Sequence, residues 1–118
     1  MQNKRSLGLL KEELAAQHLI NQGADILERN FYFRGGELDL IAKDGEYLCF
    51  VEVKYRKSTS FGFPEEAVTY TKQKKMLSGA RYYLYKNHYP ADTPCRFDII
   101  SIYGEEILWI KDAFTVSG

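Results

Sequence analysis

The sequence is poor in the residue types that would fix a function by themselves. Cysteine occurs twice, as Cys49 and Cys95, far apart, each inside an apolar run and neither in a Cys-x-x-Cys pair. Histidine also occurs twice, as His18 and His88, with no zinc-ligand spacing to either cysteine. These absences argue against a structural zinc; the cysteines are expected as buried thiols and the histidines as structural or exposed. No apolar stretch approaches the roughly 20 residues of a membrane helix. The start Lys4-Arg5-Ser6-Leu7-Gly8-Leu9-Leu10 begins like a signal peptide, but Lys11-Glu12-Glu13 interrupts it too early. A soluble cytoplasmic protein without membrane contact is expected. Net charge is missing too, since 16 Lys and Arg balance 16 Asp and Glu, which argues against the strongly basic footprint of a tight, non-specific nucleic-acid binder.

What is present points to one globular domain over residues 1–118, enough chain for a single core without staples. The charge is not evenly spread. From Lys54 to Lys86 there are eight basic residues (Lys54, Arg56, Lys57, Lys72, Lys74, Lys75, Arg81, Lys86) against Glu65 and Glu66. A solvated helix face with a polar loop explains this as readily as an anionic partner does.

Helix formers from about Leu7 to Gln22, with Gly23 behind them, predict a helix whose wide apolar arc suits packing on a sheet. Ile26 and Leu27 read as an irregular or short extended stretch, and Gly35-Gly36 as a flexible hinge. Glu37 to Ala42 and Tyr47 to Tyr55 read as strands joined by the turn signal Lys43-Asp44-Gly45-Glu46. A polar loop is expected over Ser58 to Pro64, then a helix from Glu65 to about Asn87 despite Gly79, with acidic residues in its first turn. Phe97 to Tyr103 and Ile107 to Lys111 form a second hairpin pattern. The order helix, hairpin, helix, hairpin predicts an α/β domain with α+β-like order, a mixed central sheet with flanking helices.

Asp39 in the first strand, and Glu52 and Lys54 in Phe50-Val51-Glu52-Val53-Lys54, are out of character for apolar strands. Side chains alternate across a strand, so Glu52 and Lys54 share a face. A two-residue loop at Gly45-Glu46 places Asp39 directly opposite Glu52; a loop at Asp44-Gly45 makes them diagonal neighbours; a three-residue loop sends Asp39 to the far side. Two adjacent carboxylates repel unless a cation lies between them, and hard oxygen ligands suit Mg²⁺ or Mn²⁺. Such an ion polarises a phosphodiester oxygen and lowers the pKa of water, while Lys54 stabilises phosphate charge or orients the attacking water. Glu12 lies on the helical stripe of Ala15, Ala16 and Leu19 and is a candidate outer ligand or base, with Glu13 as its competitor.

Gly36-Glu37-Leu38-Asp39-Leu40-Ile41 and Phe50-Val51-Glu52-Val53-Lys54-Tyr55-Arg56 resemble the small YraN-like family of predicted PD-(D/E)xK nucleases. Further matching blocks are Glu12-Glu13-Leu14-Ala15 with Leu19 and Gly23, Arg29-Asn30, Phe61 to Val68, Lys72-Gln73 with Ala80 and Tyr83-Leu84, and Arg96-Phe97-Asp98. That family is distantly similar to archaeal Holliday junction resolvases. The resemblance implies a restriction-endonuclease-like core, a divalent metal, DNA or structured nucleic acid as substrate, and allows a homodimer. Carried over by position, Asp39 and Glu52 look like the metal carboxylates, Lys54 the catalytic lysine and Glu12 the helix glutamate, with Arg56 and Lys72 as phosphate contacts. The sequence departs from the family pattern at Leu38, where a proline precedes the Asp, and at Lys11, where a glycine precedes the Glu.

Two other readings stay open: a non-catalytic nucleic-acid-binding module, and a protein-interaction domain in which the carboxylates form only a solvated cross-strand cluster. Asp98 beside Arg96 reads as a structural strand-end aspartate. The aromatics Phe31, Tyr32, Phe33, Tyr82, Tyr83 and Tyr85 suit a core or interface better than base stacking.

Overall fold

Small residues at helical spacing explain how the first helix, α1 (Lys4–Asn21), approaches its sheet. Ala15, Ala16 and Leu19 are fully buried and pack on Leu40, Ala42, Cys49, Val51, Ile100 and Ile102. Full burial of Leu19 alone is worth about 2 kcal/mol. The helix ends with Gly23 N donating to Ile20 O and Ala24 N to Leu19 O, the paired bonds of a Schellman cap. Only part of the wide apolar arc is used, since Leu9, Leu10, Leu14 and Ile20 stay exposed.

The computed structural model describes residues 4–56 and 68–116. After α1 come β1 (Asp25–Phe33), β2 (Gly36–Asp44), β3 (Tyr47–Arg56), α2 (Tyr70–Lys86), β4 (Cys95–Tyr103) and β5 (Glu106–Ile110). The strands form one five-stranded sheet in sequential order. β3 and β4 pair parallel across the α2 connection, and the other three pairs are antiparallel. α1 covers one face of this mixed sheet. On the other, Met76, Ala80 and Tyr83 of α2 pack on Phe31, Leu38, Ile41, Leu48, Phe50 and Ile99. The arrangement is compatible with the restriction-endonuclease-like core expected from the sequence. Among the described residues no helix is long and apolar enough to cross a membrane.

Three local expectations are corrected. The stretch around Ile26 and Leu27 is a nine-residue edge strand, bulged between Ile26 and Glu28. Only Phe31 in it is buried, so it lacks the alternation that marks a half-buried strand. Gly35 is part of a tight turn, with Phe33 paired to Gly36, rather than a hinge. The second helix begins at Tyr70, behind an extended Thr69 whose side chain caps Lys72 N at 3.1 Å, and has no acidic residue in its first turn. The expected loop at 58–64, Lys57 and residues 65–67 lie outside the described residues.

The sheet end carrying the chain's C-terminal turn is held by a buried polar knot. Asp98 is fully buried and accepts from Arg96 Nε (3.2 Å) and Nη2 (2.9 Å), Trp109 Nε1 (2.9 Å) and Asp112 N (2.9 Å). Arg96 also reaches Asp44 at 2.9 Å. Both carboxylate oxygens of Asp98 thus find their donors within the fold, the structural role that its neighbour Arg96 suggested. Cys49 is buried and Cys95 partly so, both as free thiols.

Gly79 explains why a glycine stands inside α2. A Cβ there would lie 2.6 Å from Phe33 Cε1 and 2.9 Å from Cζ, so the ring's seat against the helix needs the missing side chain. Gly79→Ala should lower stability by about 1–3 kcal/mol in urea unfolding. A gain of about 1 kcal/mol, the usual helix-propensity effect, would show that Phe33 moves aside at no cost.

Candidate functional site

The β2–β3 hairpin turns in two residues, Gly45-Glu46, with Asp44 paired to Tyr47 and Gly45 at φ 60°. Glycine at the first turn position supplies that angle without a Cβ clash. The ladder runs from this pair to Leu40↔Val51 and stops before Asp39 and Glu52. The turn is one of the two-residue loops that the sequence left open, whereas a directly opposed Asp39–Glu52 pair is not part of the ladder.

At that step the strands part. Asp39 Oδ2 accepts the Val53 N–H at 2.8 Å, so a side chain continues the hydrogen bonding where the backbone ladder stops. Leu38 and Leu40 pack into opposite core clusters, which shows that the alternation of β2 breaks at Asp39. The break has a counterpart on β1. The β1–β2 ladder passes from Arg29↔Leu40 to Phe31↔Leu38, skipping Asn30, whose φ is 51°. Asparagine is among the few residues that tolerate this conformation.

Glu52 is 6% exposed, with Lys54 Nζ 3.4 Å from Oε1 and Lys72 Nζ 3.5 Å from Oε2. The Lys54 pair fits the shared face expected of residues two apart. The Lys72 contact is an ion pair without hydrogen-bond geometry, and Oε2 is a buried acceptor with no hydrogen-bond partner among the described residues. Lys72, expected as a phosphate contact, therefore faces the carboxylate from the first turn of α2. Arg56 ends β3 two residues after Lys54, and its Nε is likewise buried with no hydrogen-bond partner among the described residues.

From the other face α1 contributes Glu12, one turn before Ala15 and Ala16. Glu12, Glu37 and Asp39 each offer a carboxylate oxygen within 4.8 Å of the others. Glu37 was not singled out from the sequence, although its position two residues before Asp39 on a strand was the available signal. Glu13, the competitor of Glu12, is exposed and pairs with Arg29 instead. Glu12, Asp39 and Glu52 line one cavity of about 280 Å³ with Gly8, Lys11, Val53 and Tyr55. Lys11 lies 3.7 Å over the Tyr55 ring on its rim, so the lysine at the family's glycine position leaves Glu12 in the cavity wall.

The family model for "Uncharacterised protein family UPF0102" matches residues 11–102. A UPF0102 protein of Lachnoclostridium phytofermentans is 50% identical over 116 residues, covering 98% of each chain. Those of Saccharophagus degradans and Stutzerimonas stutzeri are 43% identical over 117 residues (99% of each chain) and 41% over 118 (97% of this chain, 98% of the relative). The chain belongs to the UPF0102 family. This is the YraN family that the sequence blocks resemble, and the matched span contains Glu12, Glu37, Asp39, Glu52, Lys54, Arg56 and Lys72.

In this UPF0102 chain the carboxylates are crowded enough to change their chemistry. Asp39 is pushed up to about 7, first by burial and then by the charge of Glu52, with Glu12 adding; the Val53 N–H and Lys72 oppose the rise. Glu12 is also raised, by burial and by Glu37 and Glu52, against a hydrogen bond from the Asn30 side chain. The clustered carboxylates of Glu12, Glu37 and Asp39 are hard oxygen donors of the type that hard divalent cations take, and Glu52 lines the same cavity as Glu12 and Asp39.

A raised folded-state pKa means that Asp39 favours the fold while protonated and loses that contribution as pH climbs from 3.8 through about 7. Without divalent ions, Asp39→Asn should therefore gain thermal stability relative to wild type between pH 4.5 and pH 8. A stability difference unchanged over that interval would contradict the crowding.

Proposed function

We propose that this protein is a divalent-metal-dependent nuclease that hydrolyses phosphodiester bonds in DNA. The observation that carries the reading is the strand fork, where Asp39, Glu52 and Glu12 meet in one cavity with Lys54 and Lys72 beside them. Asp39, Glu52 and Glu12 would hold the ion, with Glu37 within reach of the same place. When bound, Mg²⁺ or Mn²⁺ supplies charge neutralisation at the phosphate and acidifies water.

The chain's own groups do the rest. Val53 N–H fixes the Asp39 carboxylate, so the donor set is in place before substrate arrives. Lys54 places its ammonium beside Glu52, where it stabilises the extra negative charge of the pentacovalent phosphate. In the hydrolysis, water forms the new P–O bond and gives up its proton to solvent water. The P–O bond to the leaving oxygen breaks, and that oxygen takes a proton from solvent water, so that one water molecule is consumed in all. Arg56 and Lys72 contact phosphates along the strand being cut. With two unpaired thiols in the chain, the reducing cytoplasm is the fitting compartment.

The direct test is cleavage of labelled linear duplex, single-stranded and four-way-junction DNA with Mg²⁺ or Mn²⁺. Cutting should vanish on chelation and fall at least about a hundredfold in Glu52→Ala and Lys54→Ala. The two variants should keep the wild-type circular dichroism spectrum. Metal-independent binding without cutting would instead make the protein a binding module, and neither binding nor cutting would point to a protein partner.

A further inference from the structure

Helix α2 buries Met76, Gly79, Ala80 and Tyr83 against the sheet, and turns a different stripe to solvent. Tyr70, Lys74, Ser78, Tyr82 and Tyr85 follow one another at helical spacings of four, four, four and three, so they line one side of the helix. Three of them are exposed tyrosines: Tyr70 at 64%, Tyr82 at 44% and Tyr85 at 80%. Tyr83 belongs to the core, and so does Phe31. The aromatic run that the sequence assigns to a core or interface thus divides into a packed set and a displayed set.

Two shallow hollows of about 320 and 280 Å³ lie along the stripe and share Ser78. One is lined by Tyr70, Thr71, Lys74 and Lys75, the other by Tyr82 with Tyr32, Phe33 and Arg34 from the end of β1 and its turn. The helix has five basic residues and no acidic one, in a chain of zero net charge. Lys74 Nζ lies 5.4 Å from the Tyr70 ring centre, an ammonium beside an exposed aromatic face. Exposed rings on a helix whose only charges are basic match a polyanion whose bases are free to stack. A duplex keeps its bases stacked on each other and offers these rings no partner. Lys72, from the same first turn as Tyr70 but on another side of the helix, contacts Glu52, so the stripe starts at the helix end nearest the candidate site.

We infer that the tyrosine stripe of α2 is a binding track for single-stranded DNA that leads to the β2–β3 fork. Its destination rests on the nuclease reading; its binding does not. The test is fluorescence anisotropy in chelator, where no metal-dependent cutting occurs, with an oligo-dT of about 16 nucleotides, a duplex of equal length and oligo-rU. Oligo-dT should bind more tightly than the duplex, and Tyr70→Ala, Tyr82→Ala and Tyr85→Ala should each weaken it about 5- to 100-fold. Tyrosine-to-phenylalanine variants should restore binding, since stacking needs the ring and not the hydroxyl. Equal or tighter duplex binding, unchanged affinity in the alanine variants, or preference for oligo-rU would overturn the assignment. Intact metal-dependent cleavage alongside absent oligo-dT binding would remove the track and leave the nuclease standing.

Discussion

The hydrogen bond from Val53 N–H to Asp39 Oδ2 holds together two demands that otherwise conflict. The sheet needs β2 and β3 paired, and the site needs them apart so that charged side chains have room. A carboxylate standing in for a backbone acceptor lets the strands separate without leaving a buried N–H unmet. The same bond fixes Asp39 near Glu12, Glu37 and Glu52, so the repulsion among them is built into the fold. Lys54 and Lys72 relieve part of it on the Glu52 side. An acceptor on Glu52 without a hydrogen-bond partner marks the part they do not relieve.

The two helices supply the site from opposite faces. α1 packs through alanines, which brings Glu12 down to the sheet surface rather than into solvent. α2 is capped by Thr69 at the end from which Lys72 reaches Glu52. At another part of the sheet, Asp98 and Arg96 bind the C-terminal turn and Asp44 into a satisfied network. Buried charge is thus treated in two ways within one sheet. Asp98 receives donors from side chains and backbone, whereas the fork gathers carboxylates with too few donors. That contrast sets the structural carboxylate Asp98 apart from the fork carboxylates more clearly than burial alone.

The central strands were legible because their apolar alternation is strong, while the turn signal between them left more than one register open and did not foretell that the ladder stops before Asp39. β1 was not legible because an exposed, bulged edge strand carries little alternation. The start of α2 was misplaced because Glu65 and Glu66 imitate an acidic first turn, while the cap that decides the matter is Thr69. Glu37 was passed over for a related reason: alternation put it beside Asp39, but nothing local says that α1 brings a third carboxylate to meet them. The fit of Gly79 to Phe33 depends on two residues far apart in the chain, and no window along the sequence contains both.

The central claim is that the crowded carboxylates form a divalent-cation site. It is tested most directly by titrating the purified protein with Mn²⁺ and following free Mn²⁺ by electron paramagnetic resonance, in wild type and in folded Asp39→Asn. Saturable uptake in wild type that is lost or greatly weakened in the variant is the expected result. No saturable uptake, or uptake indifferent to Asp39, would contradict the claim and leave the fork as a charge cluster without an ion.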